Sequence, residues 1–132
     1  MILVDTSAWV EFIRATGSET HHRLRTMIDA DTEEIATTEV VHMELLAGAH
    51  DEARATKLRR LLGRYEPVPI EGLNDYERAA ALYRACRQRG ETVRVQVDCL
   101  IAAVAIRADI AVLQCDRDFA VMARHTPLRL AG

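Results

Sequence analysis

Short apolar runs alternate with longer amphipathic stretches along this chain, and that alternation predicts a parallel sheet wrapped in helices. Ile2-Leu3-Val4 and Ile110-Ala111-Val112-Leu113 are unbroken apolar runs, the pattern of strands buried on both faces. Glu34-Ile35-Ala36-Thr37 predicts another strand, and Leu128 to Leu130 a last one. Pro67-Val68-Pro69 predicts a short extended piece at a sheet edge, where a missing proline N–H does no harm. Helices are predicted from Ser7 to about Arg14 with Thr6 or Ser7 as N-cap, from about Ser18 to Asp29, and from Thr38 as cap towards Gly48. Two more run from about Asp51 to Leu62, with Leu58, Leu61 and Leu62 inward, and from about Asn74 to Gln88. In the latter, Ala79, Leu82, Tyr83 and Cys86 share one face, and Gly90 lies just past the end. Val97, Leu100, Ile101, Val104 and Ala108 repeat that spacing, and a short helix follows from about Asp118 to Arg124. The fold class is therefore α/β, with a central, mostly parallel sheet covered on both faces.

Length and composition narrow this picture. The 132 residues suit one compact domain spanning 1–132. Apolar residues form 49% of the chain and aromatics only 5%, so aliphatic side chains must do most of the packing. No segment approaches the roughly 18 apolar residues needed to cross a bilayer. The apolar start lacks a basic leader and is broken by Asp5, so it reads as a core strand, and the expected location is cytoplasmic with no membrane partner. Cys86, Cys99 and Cys115 lack metal or redox spacing and are read as buried thiols. The histidines have no zinc spacing either. A net charge of −3 argues against a broad electrostatic grip on nucleic acid, although an acidic centre would itself lower that number and arginines could rim it locally.

The candidate chemistry lies in misplaced acids. Asp5 follows the first buried strand, and Asp116 closely follows the second. In open α/β sheets ligands bind beyond the carboxyl ends of the strands, so adjacent strands would present both acids to one crevice. Glu44 sits in Val40-Val-His-Met-Glu-Leu-Leu-Ala-Gly48, and Asp98 is the lone acid of Val95-Gln-Val-Asp-Cys-Leu-Ile-Ala-Ala-Val-Ala-Ile106. A carboxylate in such surroundings is costly unless paired. Arg94, four residues before Asp98, is one local candidate partner. Carboxylates gathered as anions need a strong cation, and oxygen ligands suit Mg²⁺ or Mn²⁺.

Val4-Asp5-Thr6-Ser7, Glu44-Leu-Leu-Ala-Gly48, Asp98-Cys-Leu-Ile-Ala-Ala103 and Asp116-Arg-Asp-Phe119 together resemble the motif set of PIN-domain ribonucleases, and most closely the VapC toxins of type II toxin–antitoxin systems. The resemblance runs from residue 2 to about residue 124. It implies a three-layer α/β/α sandwich and Mg²⁺- or Mn²⁺-dependent endonucleolytic hydrolysis of RNA by a metal-activated water. It also implies a homodimer and neutralisation by a cognate VapB-type antitoxin in a higher-order complex. Carried over by position, Asp5, Glu44, Asp98 and Asp116 match the acidic quartet, catalytic and metal-binding. Asp118 matches a further acid, read as an outer ligand. Thr6 or Ser7 matches a hydroxyl that supports a site carboxylate, and Arg94 and Arg117 are placed to meet RNA phosphate.

Plainer readings stand beside these. Asp5 could cap the first helix, Glu44 could lie on an exposed stripe, Asp98 could complement a helix dipole, and Asp118 could be an N-cap. Lys57-Leu-Arg-Arg60 with Arg64 reads as a solvated helix face. A noncatalytic binding module on the same fold is one alternative function. A phosphatase of the haloacid dehalogenase type is another, but it would want a second Asp where Ser7 stands.

Overall fold

A computed structural model describes residues 1–30 and 35–131. Four strands, β1 (Ile2–Val4), β2 (Ile35–Thr37), β3 (Glu66–Pro67) and β4 (Ala111–Leu113), form a sheet of order β3-β2-β1-β4 in which every pairing is parallel. Among the described residues seven helices surround it: α1 (Thr6–Ile13), α2 (Glu19–Ala30), α3 (Glu39–Ala47), α4 (Glu52–Leu62), α5 (Gly72–Gln88), α6 (Gln96–Ala108) and α7 (Arg117–His125). Parallel strands require helical crossovers, so the sheet is covered and its short strands are apolar throughout. Leu3, Val4 and Val112 are fully buried, and Trp9, Leu24, Phe119 and Met122 fill the layers around them.

The strand order decides where a ligand can sit. From β1 the chain steps outward to β2 and then β3, and only later returns to place β4 on the opposite side of β1. The reversal between β1 and β4 is the switch point of the sheet, where flanking loops diverge and leave a crevice. Register pairs Ile2 with Ala111, Leu3 with Val112 and Val4 with Leu113. The ladder then ends on a bond from the Asp5 N–H to Leu113 O at 3.0 Å.

Helix α6 is buried continuously from Asp98 to Ala105, which explains a sequence apolar on nearly every face. Ala102, Ala103 and Ala105 keep it slim enough to lie between α5, β4 and α7. Its far end is tied to the start of α5 by a buried ion pair. The fully buried Asp75 accepts from Arg107 Nε and Nη2 at 3.0 to 3.2 Å and from the Glu71 N–H at 2.7 Å. Burial pushes the Asp75 carboxyl up, but these bonds outweigh it and hold it below the usual range.

Several boundaries differ from expectation for local reasons. Asp5, not Thr6 or Ser7, is the N-cap of α1, because its side chain accepts from the Ser7 N–H. Asp116 caps α7 in the same way through the Asp118 N–H, so that helix opens at Arg117. Thr38 is the N-cap residue of α3, but its hydroxyl donates to Glu39 instead of accepting a cap bond. The edge strand is Glu66–Pro67, with the Val68 N–H continuing to Thr37 O. The expected last strand shrinks to one bridge between Leu130 and Val112. Cys86 and Cys99 are buried as expected, whereas Cys115 is exposed on the loop after β4. Glu34 of the expected strand lies outside the described residues.

Asp75→Ala removes the buried acceptor of Arg107 and of the Glu71 N–H, while Arg107 keeps Glu71 Oε1 and Pro69 O. It is therefore expected to lower the unfolding free energy by about 2 kcal/mol, measured by urea denaturation.

Candidate active site

Each acid in the crevice arrives on a different element. Asp5 leaves β1 and caps α1, Glu44 projects from α3, Asp98 lies in the first turn of α6, and Asp116 and Asp118 open α7. Carboxylate oxygens of Asp98, Asp116 and Asp118 lie within 4.8 Å of one another. Asp5 and Glu44 stand outside that trio: the charge of Asp5 adds to burial in raising the carboxyl of Asp98, and Glu44 in turn adds to burial in raising that of Asp5. The residues singled out in sequence are thus brought to one place, the switch-point crevice.

Two adjacent hydroxyls organise the outer pair. Thr6 Oγ1 donates to Glu44 Oε1 at 2.7 Å, and Ser7 Oγ donates to Asp5 Oδ2 at 2.6 Å. Ser7 also accepts from the Cys115 N–H at 2.9 Å, so one hydroxyl links the end of β1 to the loop after β4. Asp5 Oδ2 takes a second bond from the Ser7 N–H at 3.0 Å, while its Oδ1 is buried without any donor. Burial pushes the Asp5 carboxyl up, against the Ser7 bonds that pull it down. A buried carboxylate oxygen with no hydrogen bond costs free energy unless another positive group meets it.

The inner trio is more sharply divided. Asp98 is buried, and burial together with the charges of Asp5, Asp116 and Asp118 pushes its carboxyl up to about 8. Asp118 is more deeply buried still, yet hydrogen bonds from the Arg94 and Val95 N–H groups overcome its burial and hold its carboxyl low. The contact between the two carboxyls acts in opposite directions, raising that of Asp98 and lowering that of Asp118. Asp116, partly exposed, accepts from its own helix at the Asp118 N–H and from Arg94 Nη2 at 3.3 Å.

Arg94 does not pair with Asp98, as the four-residue spacing suggested. Helix α6 begins only at Gln96, so Arg94 lies before it and turns to Asp116 and Asp118 instead. Arg117 is exposed in the first turn of α7. Two participants escaped the sequence reading. The Gln114 side chain accepts from the Asp116 N–H at 2.5 Å, and the Cys115 backbone meets Ser7. Their place immediately after a buried strand was the one available signal. Beside Thr6 and Glu44 a groove of about 520 Å³ opens between α1, α3 and α4, with an apolar floor of Val10, Leu45 and Leu61 and with Arg14, Arg54 and Lys57 among its lining.

Comparison with known proteins gives a consistent result. The sequence model of the PIN domain matches residues 2–125. Ribonuclease VapC11 from Mycobacterium tuberculosis is 45% identical over 132 residues, covering 100% of this chain and 98% of that protein. Among solved structures, VapBC2 from Rickettsia felis bound to a promoter DNA fragment superposes with a TM-score of 0.76 at 24% identity, covering 99% of this chain and 98% of that one. A toxin–antitoxin complex from Klebsiella pneumoniae gives 0.68 at 19% identity, covering 91% of each chain. At such identities the two structures speak for the fold alone.

The raised carboxyl of Asp98 has a consequence for stability. A group whose folded value lies above its unfolded one stabilises the fold below the unfolded value, and that contribution is lost as pH rises through the folded value. In EDTA, wild-type stability is expected to fall between pH 5 and 8 with a slope of at most about 1.4 kcal/mol per pH unit. Asp98→Asn should flatten the curve to the smaller contribution of Asp5, as read by urea midpoints across that range.

Proposed function

Because the chain belongs to the PIN-domain family and is an endoribonuclease of the VapC toxin group, we propose that it cuts RNA at a divalent-cation site held by Asp5, Glu44, Asp98 and Asp116. The observation that carries this reading is the buried Oδ1 of Asp5, which has no hydrogen-bond partner, beside an Asp98 carboxyl that burial and the Asp5 charge push up. Neither group is at ease without a cation, and an all-carboxylate donor set suits a hard ion such as Mg²⁺ or Mn²⁺. When bound, such an ion supplies Lewis acidity to the phosphate and lowers the pKa of a water molecule.

The chain's own residues then have distinct tasks. Ser7 fixes the Asp5 carboxylate through its hydroxyl and its N–H, and Thr6 fixes Glu44. This orientation leaves Asp5 Oδ1 available to the ion. Asp98 and Asp116 complete the set from helix starts, where backbone N–H groups favour negative charge. Asp118, whose oxygens are already engaged by Arg94 and Val95, supports the set as an outer member. One carboxylate oxygen takes the proton of the attacking water. In-line attack on phosphorus breaks its bond to the 3′-oxygen, which takes a proton from solvent, leaving a 5′-phosphate and a 3′-hydroxyl, and Arg117 meets the phosphate from its exposed place on α7.

The partners we assign are RNA, a second copy of the chain and a VapB-type antitoxin. The Klebsiella relative is described as a toxin–antitoxin complex, and the groove beside Glu44 offers such a partner an apolar floor with cations along its lining. An occupant there would lie directly against the Thr6–Glu44 pair.

Asp5→Asn and Asp98→Asn are expected to remain folded by circular dichroism and to lose RNA cleavage by about a hundredfold or more. EDTA should abolish wild-type cleavage and Mn²⁺ restore it. Full activity in both variants, or in excess EDTA, would sink the mechanism. Thr6→Val should cost about tenfold, because it leaves the set intact but frees Glu44 to rotate.

A further inference from the structure

Asp118 is the most heavily engaged carboxylate in the crevice. Its Oδ1 accepts from the Arg94 N–H at 3.1 Å and its Oδ2 from the Val95 N–H at 3.0 Å. These bonds clamp the segment before α6 onto the start of α7. They also fix the backbone of Arg94 at the mouth of the site while its side chain stays 59% exposed. The guanidinium reaches Asp118 Oδ1 with Nε at 3.4 Å and Asp116 Oδ1 with Nη2 at 3.3 Å. Charge-assisted hydrogen bonds are normally near 2.8 Å, so both contacts are loose. A long, exposed side chain held loosely can leave at little cost, and its anchored backbone keeps it within reach.

We propose that Arg94 is an exchangeable internal cation, which neutralises Asp116 in the free enzyme and turns from it to the RNA phosphate once a divalent ion takes that carboxylate. The proposal rests on the divalent-cation reading above. Two positive groups cannot share one carboxylate at close range without repelling each other, and the doubly charged ion wins. The released guanidinium is planar and forked, matching the oxygens of a phosphodiester better than a single ammonium would. The acidic crevice would otherwise repel the polyanion it must cut. A cation that the divalent ion itself displaces outward reverses that repulsion at the moment the site becomes competent.

The signature is a pair of effects with opposite signs, which loss of a merely structural contact would not produce. The clamp on Asp118 uses backbone N–H groups and survives any substitution of the side chain. Titration calorimetry with Mn²⁺ alone should show Arg94→Met binding the ion about threefold more tightly than wild type, because no internal cation competes. Fluorescence anisotropy of a labelled random-sequence single-stranded RNA, in Ca²⁺ and with the probe verified intact, should show the same variant binding about tenfold more weakly. Arg94→Lys should stay near wild type for Mn²⁺ and recover part of the RNA affinity. Mn²⁺ affinity in Arg94→Met that is unchanged or weaker, or RNA affinity that is unchanged, overturns the proposal while leaving the metal site standing. Failure of wild type to bind Mn²⁺ at all overturns the metal site and this proposal with it.

Discussion

The last bond of the β1–β4 ladder, from the Asp5 N–H to Leu113 O, fixes where Asp5, Asp98, Asp116 and Asp118 can sit. It brings the carboxyl ends of two parallel strands level. Beyond that bond the two chains diverge, one into α1 and the other into α7. Because α6 feeds directly into β4 and packs against α7, its first turn is carried to the same level. Leu3 and Val4 point to opposite faces of the sheet and both are fully buried, so β1 is held by apolar layers on its two sides. The apolar core thus holds the acidic site in place, although no core side chain takes part in its chemistry.

Gathering carboxylates this closely opposes folding, and the structure answers with three kinds of positive partner. Backbone N–H groups at helix starts satisfy Asp5, Asp116 and Asp118. The hydroxyls of Thr6 and Ser7 satisfy Glu44 and Asp5 from two consecutive positions of one helix turn. The guanidinium of Arg94 supplies whole charge at the mouth. What these leave unmet is the unpartnered oxygen of Asp5 and the raised carboxyl of Asp98. The residual need for positive charge is therefore concentrated on two groups, and the geometry asks for a small, highly charged cation rather than another side chain. By contrast, Asp75 and Arg107 at the far end of α6 are matched within the protein, and that pair joins helices without inviting a ligand.

The sequence by itself determined the parallel α/β class and the positions of the buried strands, and it singled out the acids proposed for the site. The reason is that an unbroken apolar run, or an acid inside one, admits few physical explanations. It also determined that Asp98 and Glu44 were anomalous, since neither suits the helix that carries it. Only the tertiary structure decided the partners. Arg94 is four residues from Asp98 and would face it across one helical turn, yet α6 starts two residues too late and the guanidinium crosses to α7 instead. Asp5 both caps α1 and enters the crevice because a strand end and a helix start coincide there, so the plain reading and the functional one describe the same geometry. Ser7 bonding to Cys115, 108 residues away, and the backbone N–H bonds that hold the Asp118 carboxyl low while that of Asp98 is pushed up depend on how β1, β4, α6 and α7 meet. Such contacts between elements distant in the chain leave no periodicity to read, because periodicity records only how each element faces its own core.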